Sequence, residues 1–236
     1  NKFRTLVYLD SLPGDEKEIF LQFVKHEDKS PEFIVAATRL FRQHPTLAEL
    51  SSETHSSGNS AERDLLGGSL SPLQIAAEYF NDSTCLGLLE SIIDGNPRAL
   101  DAWTYGTEHG NPLTVACRAG APLETVVALY ERFPGAVHRV PEKWEDESHI
   151  CFPLVACALS DRFDLDVLKF VADKNPAAAL ERGCFDSSEW DLQYGVFERL
   201  LGKDTDDSVI EALDYLFDMT FPPWKTSMVL EEKVTR

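Results

Sequence analysis

Apolar residues recur along the chain in registers that align on four prolines. Counting back from Pro45, Pro97, Pro134 and Pro176, position −11 holds Ile34, Leu86, Leu123 and Leu165, and position −8 holds Ala37, Leu89, Val126 and Leu168. Position −5 holds Leu40, Ile92, Leu129 and Val171, and position −4 holds Phe41, Ile93, Tyr130 and Ala172. The spacing i, i+3, i+6, i+7 keeps these side chains on one helical face, so it predicts four amphipathic helices. Each should stop just before its proline, whose ring disfavours a helical preceding residue.

A second pattern precedes three of them: Ser71-Pro72-Leu73-Gln74-Ile75-Ala76-Ala77, Asn111-Pro112-Leu113-Thr114-Val115-Ala116-Cys117, and Phe152-Pro153-Leu154-Val155-Ala156-Cys157. Serine or asparagine before proline reads as an N-cap followed by a residue that needs no backbone donor. Phe152 loses that cap. The small pairs Ala76-Ala77, Ala116-Cys117 and Ala156-Cys157 predict close approach of neighbouring helices. Each unit is thus a short helix, a tight turn and a longer helix ending at a proline.

With Pro72, Pro112 and Pro153 spaced 40 and 41 residues apart, the chain resembles the ankyrin repeat family, whose short helix opens Thr-Pro-Leu-His-x-Ala. The stretch NPLTVACRAGAPLETVVALYERFPGAV (111–137) is similar to the divergent ankyrin-like repeats of diatoms and related algae. Gln74, Thr114 and Val155 stand where the family has histidine. The resemblance implies an all-α helix-turn-helix repeat solenoid. The units exceed the family's usual length of about 33 residues, which implies long, irregular loops.

The expected organisation is one domain of about five helix pairs. Residues 13–48 form an N-terminal pair, starting with a helix at Asp15–His26, and 71–100, 111–137 and 152–180 form repeat units. Residues 189–221 form a C-terminal pair, with helices over Glu189–Leu201 and Asp206–Asp218. Degenerate end units suit a stacked array, since each must turn one face to water. The polar, serine-rich stretch 49–70 reads as a mobile insertion or a phosphorylation segment.

Charge narrows the partners. The chain has 40 acidic and 22 basic residues, a net charge of −18, which repels phosphate backbones and argues against direct nucleic-acid binding. Up to Pro141 there are 19 acids and 12 bases, and beyond it 21 and 10. This density would place a basic partner on the Trp144 loop and the C-terminal helices, although solvation accounts for the same balance. No apolar run approaches the roughly 18–20 residues of a membrane span. Five cysteines, an odd number, several inside helical patterns, favour a reducing, intracellular compartment: cytoplasm or nucleus, or an organelle after removal of a targeting segment. Asn81-Asp82-Ser83 fits a glycosylation triplet, which needs a secretory context.

Catalytic chemistry finds little purchase. His149, Cys151 and Cys157 imitate a zinc or cysteine-nucleophile site without a second ligand pair, and the equivalent repeat positions of Cys117 and Cys157 fit small-residue packing. Asp204, Asp206 and Asp207 lack the glycine and distal glutamate of a calcium loop and suit helix capping. No cofactor or metal is expected. The expected function is a non-catalytic protein–protein interaction module or scaffold. The alternatives are a structural subunit held permanently in a large assembly, and a cysteine-dependent enzyme or zinc protein. Binding would use a concave face of short helices and loops. Its candidates are Gln74, Glu78 and Tyr79 in one unit, Thr114 and Arg118 in the next, Trp103, Tyr105 and His109 between them, and Trp144 beyond. Aromatic and arginine side chains make strong interface anchors. Trp103 and Trp144 could equally fold back as loop anchors.

Overall fold

Capping side chains and prolines set where the helices begin and end. The computed structural model describes residues 9–26, 28–49, 70–101, 110–138, 152–180, 182–184, 194–203 and 206–221. Its helices are α1 (Gly14–Lys25), α2 (Pro31–Gln43), α3 (Pro72–Tyr79), α4 (Leu86–Gly95), α5 (Pro112–Arg118), α6 (Leu123–Arg132), α7 (Pro153–Leu159), α8 (Leu165–Lys174), α9 (Val196–Leu201) and α10 (Asp207–Thr220). Ser30, Ser71, Asn111, Asp164 and Asp206 each accept a hydrogen bond from a first-turn N–H, at α2, α3, α5, α8 and α10. Phe152 cannot, and α7 starts without a side-chain cap. Asp206 accepts from the Val209 N–H at 2.9 Å and from the Ser208 hydroxyl at 2.6 Å. Those bonds, the Ser208 hydroxyl first, hold its carboxyl below the usual aspartate value.

The four proline-aligned helices, α2, α4, α6 and α8, end alike. His44, Asn96, Phe133 and Asn175 share an extended conformation with φ from −127° to −148° and ψ from 68° to 81°. Each following proline opens a short 3₁₀ turn: Pro45–Glu49, Pro97–Asp101, Pro134–Val137 and Pro176–Ala179. The turns bury Leu47 and Ala48, Ala99 and Leu100, Ala136 and Val137, and Ala178 and Ala179.

Packing follows chain order. Each short helix lies against the next, α3 on α5, α5 on α7 and α7 on α9. Among the longer helices, α2 packs on α4, α6 on α8 and α8 on α10, and within pairs α1 meets α2, α3 meets α4, α5 meets α6, α7 meets α8 and α9 meets α10. The small residues of the short helices, Ala76, Ala77, Ala116, Cys117, Ala156 and Cys157, are all buried. An aromatic cluster joins the N-terminal pair to α3: the Phe23 ring stacks on Phe80 at 5.2 Å and meets Phe41 edge-on at 5.1 Å.

The stop turns are also tied to one another. Asn96 Nδ2 donates to the Ala48 carbonyl at 3.0 Å, and Asn175 Nδ2 donates to the Val137 carbonyl at 2.6 Å. Both reach the third residue after the preceding stop proline. Phe133 holds the equivalent place and has no side-chain donor; Asn111 Nδ2 instead ties the start of α5 to the Ala136 carbonyl of its own stop turn, at 2.9 Å. Gly95 permits this closeness, because a Cβ on it would lie 3.0 Å from the Pro45 carbonyl oxygen.

The C-terminal pair departs from expectation. A helix over 189–201 is replaced by one that begins only at Val196, and residues 194–195 pair antiparallel with Arg182–Cys184. Gly195 is extended and its N–H donates to the Glu198 side chain, so the helix is capped there and cannot run back through it. The chain is otherwise helical among the described residues, and no described helix is long and apolar enough to cross a membrane. The serine-rich insertion and the Trp103 and Trp144 loops lie outside the described residues.

Replacing Asn175 with alanine strips the buried Val137 carbonyl of its donor, which should cost about 1–3 kcal/mol. A lower urea midpoint at unchanged slope is the expected result. Asn96→Ala, at a more exposed stop, should cost less.

Candidate functional site

The short helices pack in succession, and residues at and just past their ends line a common cleft. Seven residues beyond Pro72, Pro112 and Pro153 stand Tyr79, Ala119 and Ser160. All three line one cleft of ≈ 420 Å³ together with Lys29, Glu78, Asn81, Val115, Arg118, Asp161 and Arg162. Three successive helix pairs therefore contribute, and the turn between α1 and α2 adds Lys29.

Of the residues picked out from sequence, Glu78, Tyr79 and Arg118 come together here, each half-buried. Gln74 and Thr114 do not. Both are completely buried, which corrects their placing on a partner-facing surface. Gln74 Oε1 accepts from the Ser71 N–H at 2.9 Å while its Nε2 donates to the Gly110 carbonyl at 3.0 Å. Thr114 donates from its N–H to Asn111 Oδ1 at 2.9 Å. These polar groups serve the helix start and the incoming loop, an interior use that the shared pattern did not distinguish from an exposed one. Trp103, Tyr105, His109 and Trp144 lie outside the described residues.

Lys29, Asn81, Ser160, Asp161 and Arg162 were not among the residues expected from sequence. Counting seven residues on from each short-helix proline would have found Ser160. Lys29 carries no repeat signal, because it belongs to the degenerate N-terminal pair.

Tyr79 is the best-anchored aromatic of the cleft. The His26 ring lies 3.7 Å from it, centroid to centroid, and Lys29 Nζ sits 6.0 Å from its ring centre. Burial, followed by the adjoining Glu78 carboxylate, pushes the phenol up to about 12. Among the described residues Glu78 Oε2 is buried without a hydrogen-bond partner, and the Glu78 carbonyl accepts from Asn81 Nδ2 at 3.0 Å.

Glycine positions the opposite wall. Gly120, just past α5, has φ of +68°, a left-handed conformation that other residues adopt at a cost. A Cβ on it would come within 2.4 Å of Arg162 Cβ, so its bare backbone gives Arg162 its place. Ser160 steadies the same turn: its hydroxyl accepts the Arg162 N–H at 3.1 Å, and its carbonyl takes Lys203 Nζ at 2.7 Å.

The local charge runs against the chain's total. Lys29, Arg118 and Arg162 outnumber Glu78 and Asp161 in the cleft, although the protein carries −18 overall. An excess of acid counted along the sequence does not describe this surface.

Nucleophilic chemistry gains no support from the described thiols. Cys85, Cys117 and Cys157 are free and buried. Burial pushes Cys85 up to about 11. The Cys117 thiol beside it, then burial, raises Cys157 well above the usual thiol value. Protonated thiols are poor nucleophiles. Among the described residues no three His, Cys, Asp or Glu side chains gather as a metal site; His149 and Cys151 lie outside them.

No family model matches the chain, and comparison with curated proteins and with solved structures finds no match.

Gly120→Ala combines a disfavoured φ with a collision at Arg162, and should cost about 2 kcal/mol or more in urea unfolding. Tyr79 and Tyr215 are both raised from 10.0 to about 12, Tyr215 by burial and then by its hydrogen bond to Asp173. A folded value above the unfolded one stabilises fully below pH 10 and is lost as pH rises through 12. Ultraviolet titration of the folded protein should therefore show a late tyrosinate phase near pH 12, diminished by Tyr79→Phe.

Proposed function

We propose that the chain is a non-catalytic protein–protein interaction module, an ankyrin-like helix-turn-helix repeat solenoid that binds a partner protein where its short helices end. The observation that carries this is the cleft built by repetition. Residues at the ends of three consecutive short helices, Tyr79, Ala119 and Ser160, line one surface. Stacked repeats characteristically build extended binding surfaces in this way, from variable side chains on a constant frame. The described thiols are buried, and those of Cys85 and Cys157 are raised above the usual thiol value, which fits a scaffold better than a cysteine enzyme.

A second reading, a subunit held permanently in a larger assembly, draws on α10. Ile210, Leu213, Phe217 and Phe221 follow a single helical stripe. Phe217 is 50% exposed and Ile210 48%, with Leu201 nearby in sequence at 67%. Monomeric proteins seldom leave such an apolar patch uncovered.

Two measurements separate these readings. A benzophenone cross-linker at Ala119 should capture a discrete partner in the native cell, while one at the exposed Glu90 on α4 should not. Absence of an adduct at Ala119 would sink the module reading. Light scattering after size exclusion should find a monomer if the module is free-standing. Self-association that Phe217→Glu abolishes would favour the assembly subunit.

A further inference from the structure

The cleft's charge says what kind of partner segment it takes. Among the described residues, neither Lys29 nor Arg162 lies within ion-pair distance of a carboxylate. Both are exposed, yet both line the cleft alongside half-buried Arg118. Cations at helix C-termini often answer the negative end of the helix dipole. That explanation is already used up at α7, whose terminal Ser160 carbonyl is taken by Lys203, just past α9. Arg162 is left over, and Gly120 is the residue that makes room for it.

Two further features set the shape of the occupant. Lys29 and Arg162 stand on two separate segments, the α1–α2 turn and the α7–α8 turn, which suits an extended ligand better than a single small anion. Among the described residues Glu78 Oε2 is buried without a hydrogen-bond partner, and its carboxylate adjoins the Tyr79 phenol, so an occupant that brought only carboxylates would be repelled by it. A peptide backbone supplies N–H groups beside acidic side chains and meets both demands. The volume of ≈ 420 Å³ falls within the range of about 300–1,000 Å³ typical of ligand pockets.

We infer that this cleft binds an extended acidic peptide segment of a partner protein, with Lys29 and Arg162 pairing to its carboxylates and Glu78 accepting from its backbone. The inference rests on the interaction-module reading and specifies its ligand. It reverses the expectation of a basic partner drawn from total charge: long-range repulsion between two acidic chains slows their encounter, and the local pairing then decides which segment stays.

Labelled octaglutamate, octalysine and free tripolyphosphate are the probes, titrated by fluorescence anisotropy into the full chain. Octaglutamate should bind saturably, and Arg162→Glu and Lys29→Glu should each weaken it about tenfold or more, with far-ultraviolet circular dichroism unchanged. Arg98→Glu, on the exposed stop turn after α4, should leave it unaffected. Absence of saturable binding, equal binding by the cleft variants, or a preference for octalysine would overturn the inference. Tripolyphosphate binding that octaglutamate cannot displace would also overturn it, assigning the cleft to a free anion. A partner captured through Ala119 whose binding survives Arg162→Glu would remove the acidic-segment inference while leaving the module reading intact. No capture at all would remove the module reading first.

Discussion

The contact between successive short helices is the constraint on which the rest of this protein depends. Helices α3, α5 and α7 pack in succession, and their small residues Ala76, Ala77, Ala116, Cys117, Ala156 and Cys157 are each no more than 3% exposed. Small side chains let the backbones approach, and interiors are packed densely enough that one added methylene is felt. The two cysteines are the largest of these side chains, and the thiol of Cys157 is met by that of Cys117. A longer residue at any of these places would push one unit off the next and open everything built on their alignment.

The longer helices have more latitude, and they use it to lock the spacing. Arg132 on α6 pairs with Asp94 on α4 at 3.0 Å, and Lys169 on α8 with Glu211 on α10 at 2.6 Å. Tyr130 meets Phe170 edge-on at 5.4 Å, with Lys174 close to both rings. Exposed ion pairs of this kind contribute little each. The asparagines at the stops matter more, because they satisfy carbonyls in the interior, where an unpaired acceptor is costly. Thr125 does similar work, donating from α6 to the Asn81 carbonyl at 2.8 Å.

The cleft is a consequence of the same stacking. Where α3, α5 and α7 stop, their last side chains and the turns beyond must diverge toward α4, α6 and α8, and the space between them fills only partly. Gly120 illustrates the dependence: its left-handed backbone turns the chain toward α6, and its missing side chain admits Arg162 from the next unit. A feature that ends one helix thus sets a wall of the site. The −18 total charge suggests an acidic docking face, yet the described cleft is locally cationic, because charge is distributed by position and the acids lie mostly elsewhere.

Much of the helical frame was legible in the amino-acid sequence. Proline stops, the apolar registers before them and the serine or asparagine caps are local, since each acts through its own neighbours along the chain. The missing cap at Phe152 and the acid cap at Asp206 were readable for the same reason. Where an equally patterned stretch had to choose between partners, sequence was insufficient. Residues 194–195 pair with 182–184, and that cuts short a helix expected from 189. Gln74 and Thr114 looked like surface residues because their polarity is visible locally, whereas their hydrogen-bond partners and burial arise only once the units stack. Lys29, Ser160 and Arg162 joined Tyr79 and Arg118 for the converse reason. They are distant along the chain, and only the packing of successive units, which depends on small residues meeting across helices, brings them to one cleft.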